Sequence, residues 1–274
     1  MPRKSIQRIS GDGSSSHVSR RCSRDQAIIR IALLKDDVYL VNGAKYIAEV
    51  FRTSSLNVTF AYGIALKHCF GMAQKAANVY FADTSGSQYK PIEGSSANPQ
   101  ARVSYQTHEN LLHGLLGAGL APISDRFERA LNESINSLNI NDEWVNYPDL
   151  LEFFEDHLGA AIIKAIFGPA LLSQNPGFIR DLWAFDKVVM GLAKRLPAFC
   201  IPEAYRLRST LVRSVKLWHS LARAQSSKAK ESQHGDTESL WGSRMMRERY
   251  NTLINIENQD YDSVASTDLG FIWA

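Results

Sequence analysis

The sequence predicts a mainly α protein with a small N-terminal β-hairpin, and three observations carry that expectation. Two β-branched runs, Ile28-Ile-Arg-Ile-Ala-Leu-Leu34 and Val38-Tyr-Leu-Val41, flank a polar turn at Lys35-Asp36-Asp37, which is the pattern of a hairpin. After Asn42-Gly43 the strand signals fade, and apolar residues recur at helical rather than alternating spacing. Of the 274 residues 45% are apolar, enough to bury a sizeable core as one large domain or part of one.

Residues 1–24, rich in Ser, Gly and Arg, read as a disordered basic leader; a single domain is expected over 25–274. Ala44–Phe51 reads as a short amphipathic helix. Thr59–Phe70 and Ala73–Phe81 are helices split by Gly71, and a loop of Ser, Gly, Pro and Asn fills Asp83–Ala101. Gln106–Gly117 and Ser124–Leu138 follow. Tyr147–Phe167 starts with Asn146 as cap, Pro148 in the first turn and Asp149 at the positive end, and stops at Gly168-Pro169. Gly177–Arg195 and Pro202–Ala224 are long helices joined through Leu196–Pro202. A polar loop over Gln225–Asp236 leads to a helix from about Glu238 to Ile254. In the last stretch Thr267 or Ser266 is the expected cap and Asp268 the first turn of a helix apolar on nearly every side. A helix of that kind runs through a core and would continue past Ala274, so the chain is expected to be the front part of a larger domain.

Charge and cysteine content narrow the function classes. The net charge is +3, but six basic residues of the leader face Asp12 alone, so the remainder is slightly acidic. That body gives no sign of a nucleic-acid face. Cys22, Cys69 and Cys200 are odd in number and widely spaced, which points to free thiols in a reducing compartment. The longest apolar run, Leu158–Leu172, is broken by Lys164, Gly168 and Pro169, too short for a membrane span.

Four segments are candidates for chemistry. In the segment from Gln106 to Leu120, Gly114, Gly117 and Gly119 each cost roughly 1 kcal/mol relative to alanine in a helix, so either a neighbouring helix or a flat ligand approaches closely. His108 and His113, five apart, do not share the face an i, i+4 metal pair needs; they are either solvated, or His113 contacts a bound anion. Glu152, Glu155, Asp156 and His157 resemble a metal set, but acids in a helix's first half also complement its dipole and face water. Trp183, Phe185, Val188, Val189, Met190 and Leu192 form a stripe that is either core or, running into Leu196, Pro197 and Phe199, a lid or membrane-touching edge. Arg206, Arg208, Arg213, Lys216 and Arg223 make a basic helix, read as a solvated face with an anionic lipid surface or acidic partner as the alternative. The sequence contains no nucleophile elbow, P-loop, Cys-x-x-Cys or dinucleotide glycine motif.

The order of these pieces resembles the amino-terminal half of a cytochrome P450, a haem-thiolate monooxygenase, of the fungal sterol 7α-hydroxylase and prostacyclin-synthase kind. Val38-Tyr-Leu-Val-Asn-Gly-Ala-Lys-Tyr-Ile-Ala-Glu-Val-Phe-Arg52 is similar to that family's second strand and following helix. Leu111–Leu120 resembles the helix crossing one haem face, and Gly168-Pro169 closes the next long one. Trp241–Tyr250 and Ala265–Ala274 are similar to the approach and start of the central helix. The resemblance covers about residues 26–274 and implies an incomplete cytochrome P450 fold. It implies haem in the full-length family, a lipophilic small-molecule substrate, electrons from an NADPH–P450 reductase, and the endoplasmic reticulum membrane as location. It places His113, with His108 second, near a haem propionate. It places Tyr80, Trp183, Phe185, Met190, Leu196, Phe271 and Ala274 around the substrate.

The departures bear on activity. The family's Cys ligates iron from a Phe-x-x-Gly-x-Arg/His-x-Cys-x-Gly loop, and its thiolate favours O–O cleavage. These 274 residues hold no such loop; Phe60-Ala-Tyr-Gly63 with Cys69 has five residues between Gly and Cys where the loop has three. The family's membrane anchor is also missing, with the Arg/Ser leader in its place, and Trp-x-x-x-Arg is absent. The expectation is therefore no catalytic or metal-ligating residue in this chain, no haem stably bound by it and no turnover by it alone. The alternative is a non-catalytic helical binding or scaffold protein derived from the same fold.

Overall fold

The computed structural model describes residues 28–33, 36–53, 56, 58–95, 98–138, 146–147, 149–226 and 240–274. The basic leader, residues 1–24, lies outside them. The described chain forms two compact units that divide after Leu56. In the first, β1 (Ile28–Leu33) pairs antiparallel with β2 (Asp36–Val41), in a register running from Ile28 opposite Val41 to Leu33 opposite Asp36. The expected hairpin is thus present. α1 (Ala44–Arg52) follows, its end fixed by Thr53, whose Oγ1 donates to the Glu49 carbonyl at 2.7 Å.

All the regular secondary structure among the described residues of the second unit is helical. It comprises α2 (Thr59–His68), α3 (Gln74–Ala82), α4 (Val103–Leu115), α5 (Leu120–Asn136), α6 (Leu150–Phe153), α7 (Ala160–Phe167), α8 (Pro169–Gln174), α9 (Phe178–Ala193), α10 (Pro202–Ser226), α11 (Arg244–Ile254) and α12 (Tyr261–Trp273). α10 organises the packing. Its Ala204, Leu207, Leu211, Val215, Trp218 and Ala222 recur at three- and four-residue steps and are all buried, the stripe a helix needs to face a core. α10 packs on α9 and α12, α4 on α11, α5 on α7, and α2 on α3. The core joins Phe178, Phe185 and Leu192 of α9 to Met246 and Leu253 of α11 and Leu269 of α12.

Side chains order the long loop before α4. Asp83 Oδ1 accepts from the Ser85 amide at 2.9 Å and from its hydroxyl at 2.6 Å, while Oδ2 accepts from the Ser104 amide at 2.9 Å. Arg102 donates to the Tyr89 carbonyl at 2.9 Å and to that of Gln88, and its guanidinium lies 4.3 Å from the centre of the Tyr105 ring. One carboxylate and one guanidinium thus satisfy the backbone groups of a segment with no regular structure of its own.

Several boundaries differ from expectation. The segment expected as one helix over Tyr147–Phe167 begins at Leu150 and changes winding: α6, a π-helical stretch over Phe154–Gly159, then α7. Its cap is Asp149, which accepts from the Leu151 amide at 2.8 Å, rather than Asn146; Pro148 lies outside the described residues. α11 starts after Ser243, which caps the Met246 amide, and Glu238 is outside the described residues. The largest correction is α12. It begins at Tyr261, so Ser266, Thr267 and Asp268 sit in mid-helix, buried, and cap nothing.

The true cap of α12 is reciprocal. Asp260 Oδ1 accepts from the Ser263 amide at 2.8 Å, and Ser263 Oγ accepts from the Asp260 amide at 2.7 Å, satisfying two otherwise orphaned donors. Asp260→Ala is expected to cost about 1 kcal/mol, read as a lower urea midpoint at unchanged slope.

Candidate functional site

The mid-helix residues of α12 define the most unusual environment in the second unit. Asp268 is fully buried, with Oδ1 2.7 Å from Nε of Arg249 on α11 and Oδ2 3.0 Å from Nε2 of His219 on α10. Arg249 and His219 are themselves almost wholly buried. The arginine contact is a hydrogen bond, whereas the imidazole stands at ion-pair distance without hydrogen-bond alignment. Burial, the strongest influence on Asp268, pushes its carboxyl upward. The Arg249 and His219 charges and hydrogen bonding outweigh it and hold the group below the usual carboxylate range.

Aromatic rings close the space around this charge centre. Trp218 and Trp241 lie 5.8 Å apart, Trp241 and Tyr250 4.9 Å, and His219 and Tyr250 4.9 Å. The Arg249 guanidinium also faces the Phe271 ring at 5.1 Å. Such a dry surround strengthens the attraction between the charges and makes an unpaired one costly. The arrangement ties α10, α11 and α12 together. It presents no nucleophile and no open coordination position.

One residue earlier on α12, Thr267 Oγ1 lies 3.3 Å from the hydroxyl of Tyr80 on α3. Burial pushes the Tyr80 phenol upward, against the Thr267 contact and Arg249, with Asp268 adding to the rise. Of the expected ligand-facing residues, Tyr80, Phe185 and Phe271 converge on α12 and its neighbours. Phe185 is core, its ring 6.1 Å from Phe70, which in turn lies 5.8 Å from Trp273. Phe271 packs against Phe167 at 5.5 Å.

The remaining expected residues scatter. Trp183 is half-buried, donating to the Glu155 carbonyl at 3.3 Å, beside the π-helical stretch. Met190, Leu196 and Ala274 are exposed. His113 is exposed on α4 with Nε2 3.8 Å from Glu109, while His108 is half-buried one turn and a half away. The close approach expected at the α4 glycines is made by a helix: a Cβ on Gly114 would lie 2.3 Å from the Met245 side chain of α11.

The cysteines bear on whether these residues fit a haem iron. Cys69 is buried beside Phe70, and burial raises its thiol pKa, with Arg208 opposing. It is thus a core thiol rather than an available thiolate. Cys200 is exposed in the turn between α9 and α10, and Cys22 lies outside the described residues. Among the described residues no group of three or more His, Cys, Asp or Glu could hold a metal ion, and no helix is long and apolar enough to cross a membrane. Neither Cys69 nor Cys200 stands in a Phe-x-x-Gly-x-Arg/His-x-Cys-x-Gly sequence.

Local pattern does not reveal the buried charge centre: Asp268 is a mid-helix acid rather than the expected first-turn one, and its partners lie 19 and 49 positions upstream. Only the isolation of an acid within an apolar run signalled that it needed a partner.

Comparison with known proteins places these observations. No family model matches the chain, and no solved structure does. A cytochrome P450 monooxygenase of Humicola fuscoatra, fsoE, is 26% identical over 251 residues, 90% of this chain and 41% of that protein. The cytochrome P450 monooxygenase efuG of Hormonema carpetanum is 24% identical over 248 residues, again 90% of this chain and 42% of the relative. The calL monooxygenase of Penicillium decumbens is 26% identical over 235 residues, 82% of this chain. The chain spans about two fifths of the length of the curated relatives it matches. Across most of its length, the curated homologues of this chain are fungal cytochrome P450 monooxygenases.

Proposed function

We propose that the chain is the amino-terminal portion of a cytochrome P450 monooxygenase that oxidises a lipophilic substrate. The observation that carries this reading is extent: similarity to monooxygenases runs over 90% of the chain at nearly even coverage in two relatives, and α12 is a core helix where the resemblance puts the start of the central helix. Haem, when held by the family's Cys loop, supplies oxygen activation. His113 is exposed and available to a propionate, with His108 a second contact, and Tyr80, Phe271 and the end of α9 border the substrate. The assignment to the sterol 7α-hydroxylase and prostacyclin-synthase branch, the reductase partner and the endoplasmic reticulum membrane belong to the same proposal.

These 274 residues contain no Phe-x-x-Gly-x-Arg/His-x-Cys-x-Gly loop, so alone they should not oxygenate. Purified chain mixed with haemin, reduced with dithionite and exposed to carbon monoxide is expected to lack the thiolate-type Soret band. Its appearance would falsify the assignment of the axial ligand to residues outside these. Sequencing the transcript tests the family reading separately. Continuation of the reading frame into a Cys loop is expected. A stop codon directly after Ala274 favours the non-catalytic helical protein instead.

A further inference from the structure

The basic face of α10 divides in the structure. Arg206 is exposed and satisfied by Glu203, with Nε 2.9 Å from Oε2. Arg208, Arg213, Lys216 and Arg223 instead line one groove of about 570 Å³, together with Ser209, His219, Ser220, Tyr261 and Gly71. Among the described residues, four permanent cations there face a single lining carboxylate, Asp262, which pairs with Lys216. Arg208 donates to the His68 carbonyl at 2.9 Å, and the Arg223 guanidinium stacks 3.9 Å from the centre of the Tyr261 ring; neither contact neutralises a charge. Arg223 Nε, buried at this wall, has no acceptor among the described residues, while His219 Nε2 is turned to Asp268 Oδ2 at 3.0 Å.

A solvated helix face does not require this layout. Evenly spread lysines and arginines would extend into water, each with its own hydration shell. Here two guanidiniums are held against aromatic rings, with apolar Val212 and Leu217 between the charges. A concave wall of low dielectric concentrates the field of such a set, and guanidinium forks match the oxygen geometry of a phosphate. We propose that the α10 groove is a binding site for a phosphate group, carried by a small soluble ester or by a lipid headgroup. Arg213 and Arg223 make the main contacts. The site requires no haem and does not rest on the monooxygenase reading.

The test is calorimetric titration of the full chain with inorganic pyrophosphate at fixed ionic strength, chloride replacing it in the control. Saturable binding at one site is expected, weakened at least tenfold in the Arg213→Gln/Arg223→Gln double variant and unchanged in Lys75→Gln, an exposed cation on α3. Absence of saturation, or equal weakening by Lys75→Gln, overturns the proposal. Arg213 is exposed, so Arg213→Glu alone decides the matter should the double variant unfold: lost affinity supports the site, and unchanged affinity sinks it. Phosphatidylcholine vesicles with and without phosphatidic acid separate the sources. Binding to the acidic vesicles that pyrophosphate displaces identifies a headgroup; indifference to them identifies a soluble phosphate ester.

Discussion

Asp268→Asn should lower the unfolding free energy by about 3–5 kcal/mol, the cost of stripping one partner from a buried charge pair. The side chain keeps its size, so no cavity opens. What changes is that Arg249, 4% exposed, keeps its positive charge with no carboxylate beside it. A guanidinium does not escape by losing its proton, and the Phe271 ring 5.1 Å away is a weak substitute. Arg249→Met alone should cost a comparable amount by orphaning Asp268. The two changes together should cost much less than their sum, because an apolar replacement of a whole buried pair is often neutral. Urea denaturation of the four proteins reads this coupling. Additive costs would show that the two groups do not act on each other.

Acid should erase the same contribution, and the sign follows from the direction of the shift. The Asp268 carboxyl is held below its ordinary range in the folded chain, so the unfolded chain takes up its proton first as pH falls. The stabilisation is complete above the unfolded carboxylate pKa, about 4. It is lost as pH falls through the lower folded value. The stability gap between wild type and Asp268→Asn should therefore narrow as pH falls below about 4. A gap that widens in acid would contradict the direction of the shift.

These dependences also explain what the sequence could and could not reveal. The hairpin, the helical class and the buried character of residues 264–269 follow from local periodicity, which survives without knowledge of partners. The stripe on α10 is equally local, and the glycine at 114 signalled a close approach that Met245 makes. By contrast, Asp260-Tyr-Asp-Ser263 is a capping pair that an apolar run further on overshadows, so α12 begins earlier than the local pattern suggests. The π-helical stretch over Phe154–Gly159 has no spacing of its own to announce it. The splitting of the basic helix into a paired Arg206 and a lined groove depends on Tyr261 and Gly71, brought in from distant segments. The resemblance implies a ligand beside both His113 and Phe185, one at a haem propionate and one around the substrate, yet His113 is exposed and Phe185 is core.

Gly242→Ala should be as damaging as the loss of Asp268, by a mechanism that involves no charge. Gly242 has φ +75°, and a Cβ there would stand 2.0 Å from the Gly168 amide nitrogen and 2.2 Å from the Phe167 carbonyl carbon. Neither neighbour can turn aside, because both are backbone at the end of α7, and Gly168 is itself at φ +81°. The flanking residues are held as well: Trp218 Nε1 donates to the Leu240 carbonyl at 2.6 Å, and Ser243 Oγ to the Ile166 carbonyl at 2.8 Å. Left-handed strain of about 1–3 kcal/mol and overpacking of about 1–3 kcal/mol therefore combine, for an expected loss of about 3–5 kcal/mol. Gly94→Ala separates the two contributions. Gly94 has φ +80° with nothing within 4 Å of its added methyl group, so its cost should be the strain alone, about 1 kcal/mol. Equal costs at the two glycines in urea titrations would mean that the strap at residues 240–243 yields, and that the contact between α7 and the start of α11 is looser than its geometry states.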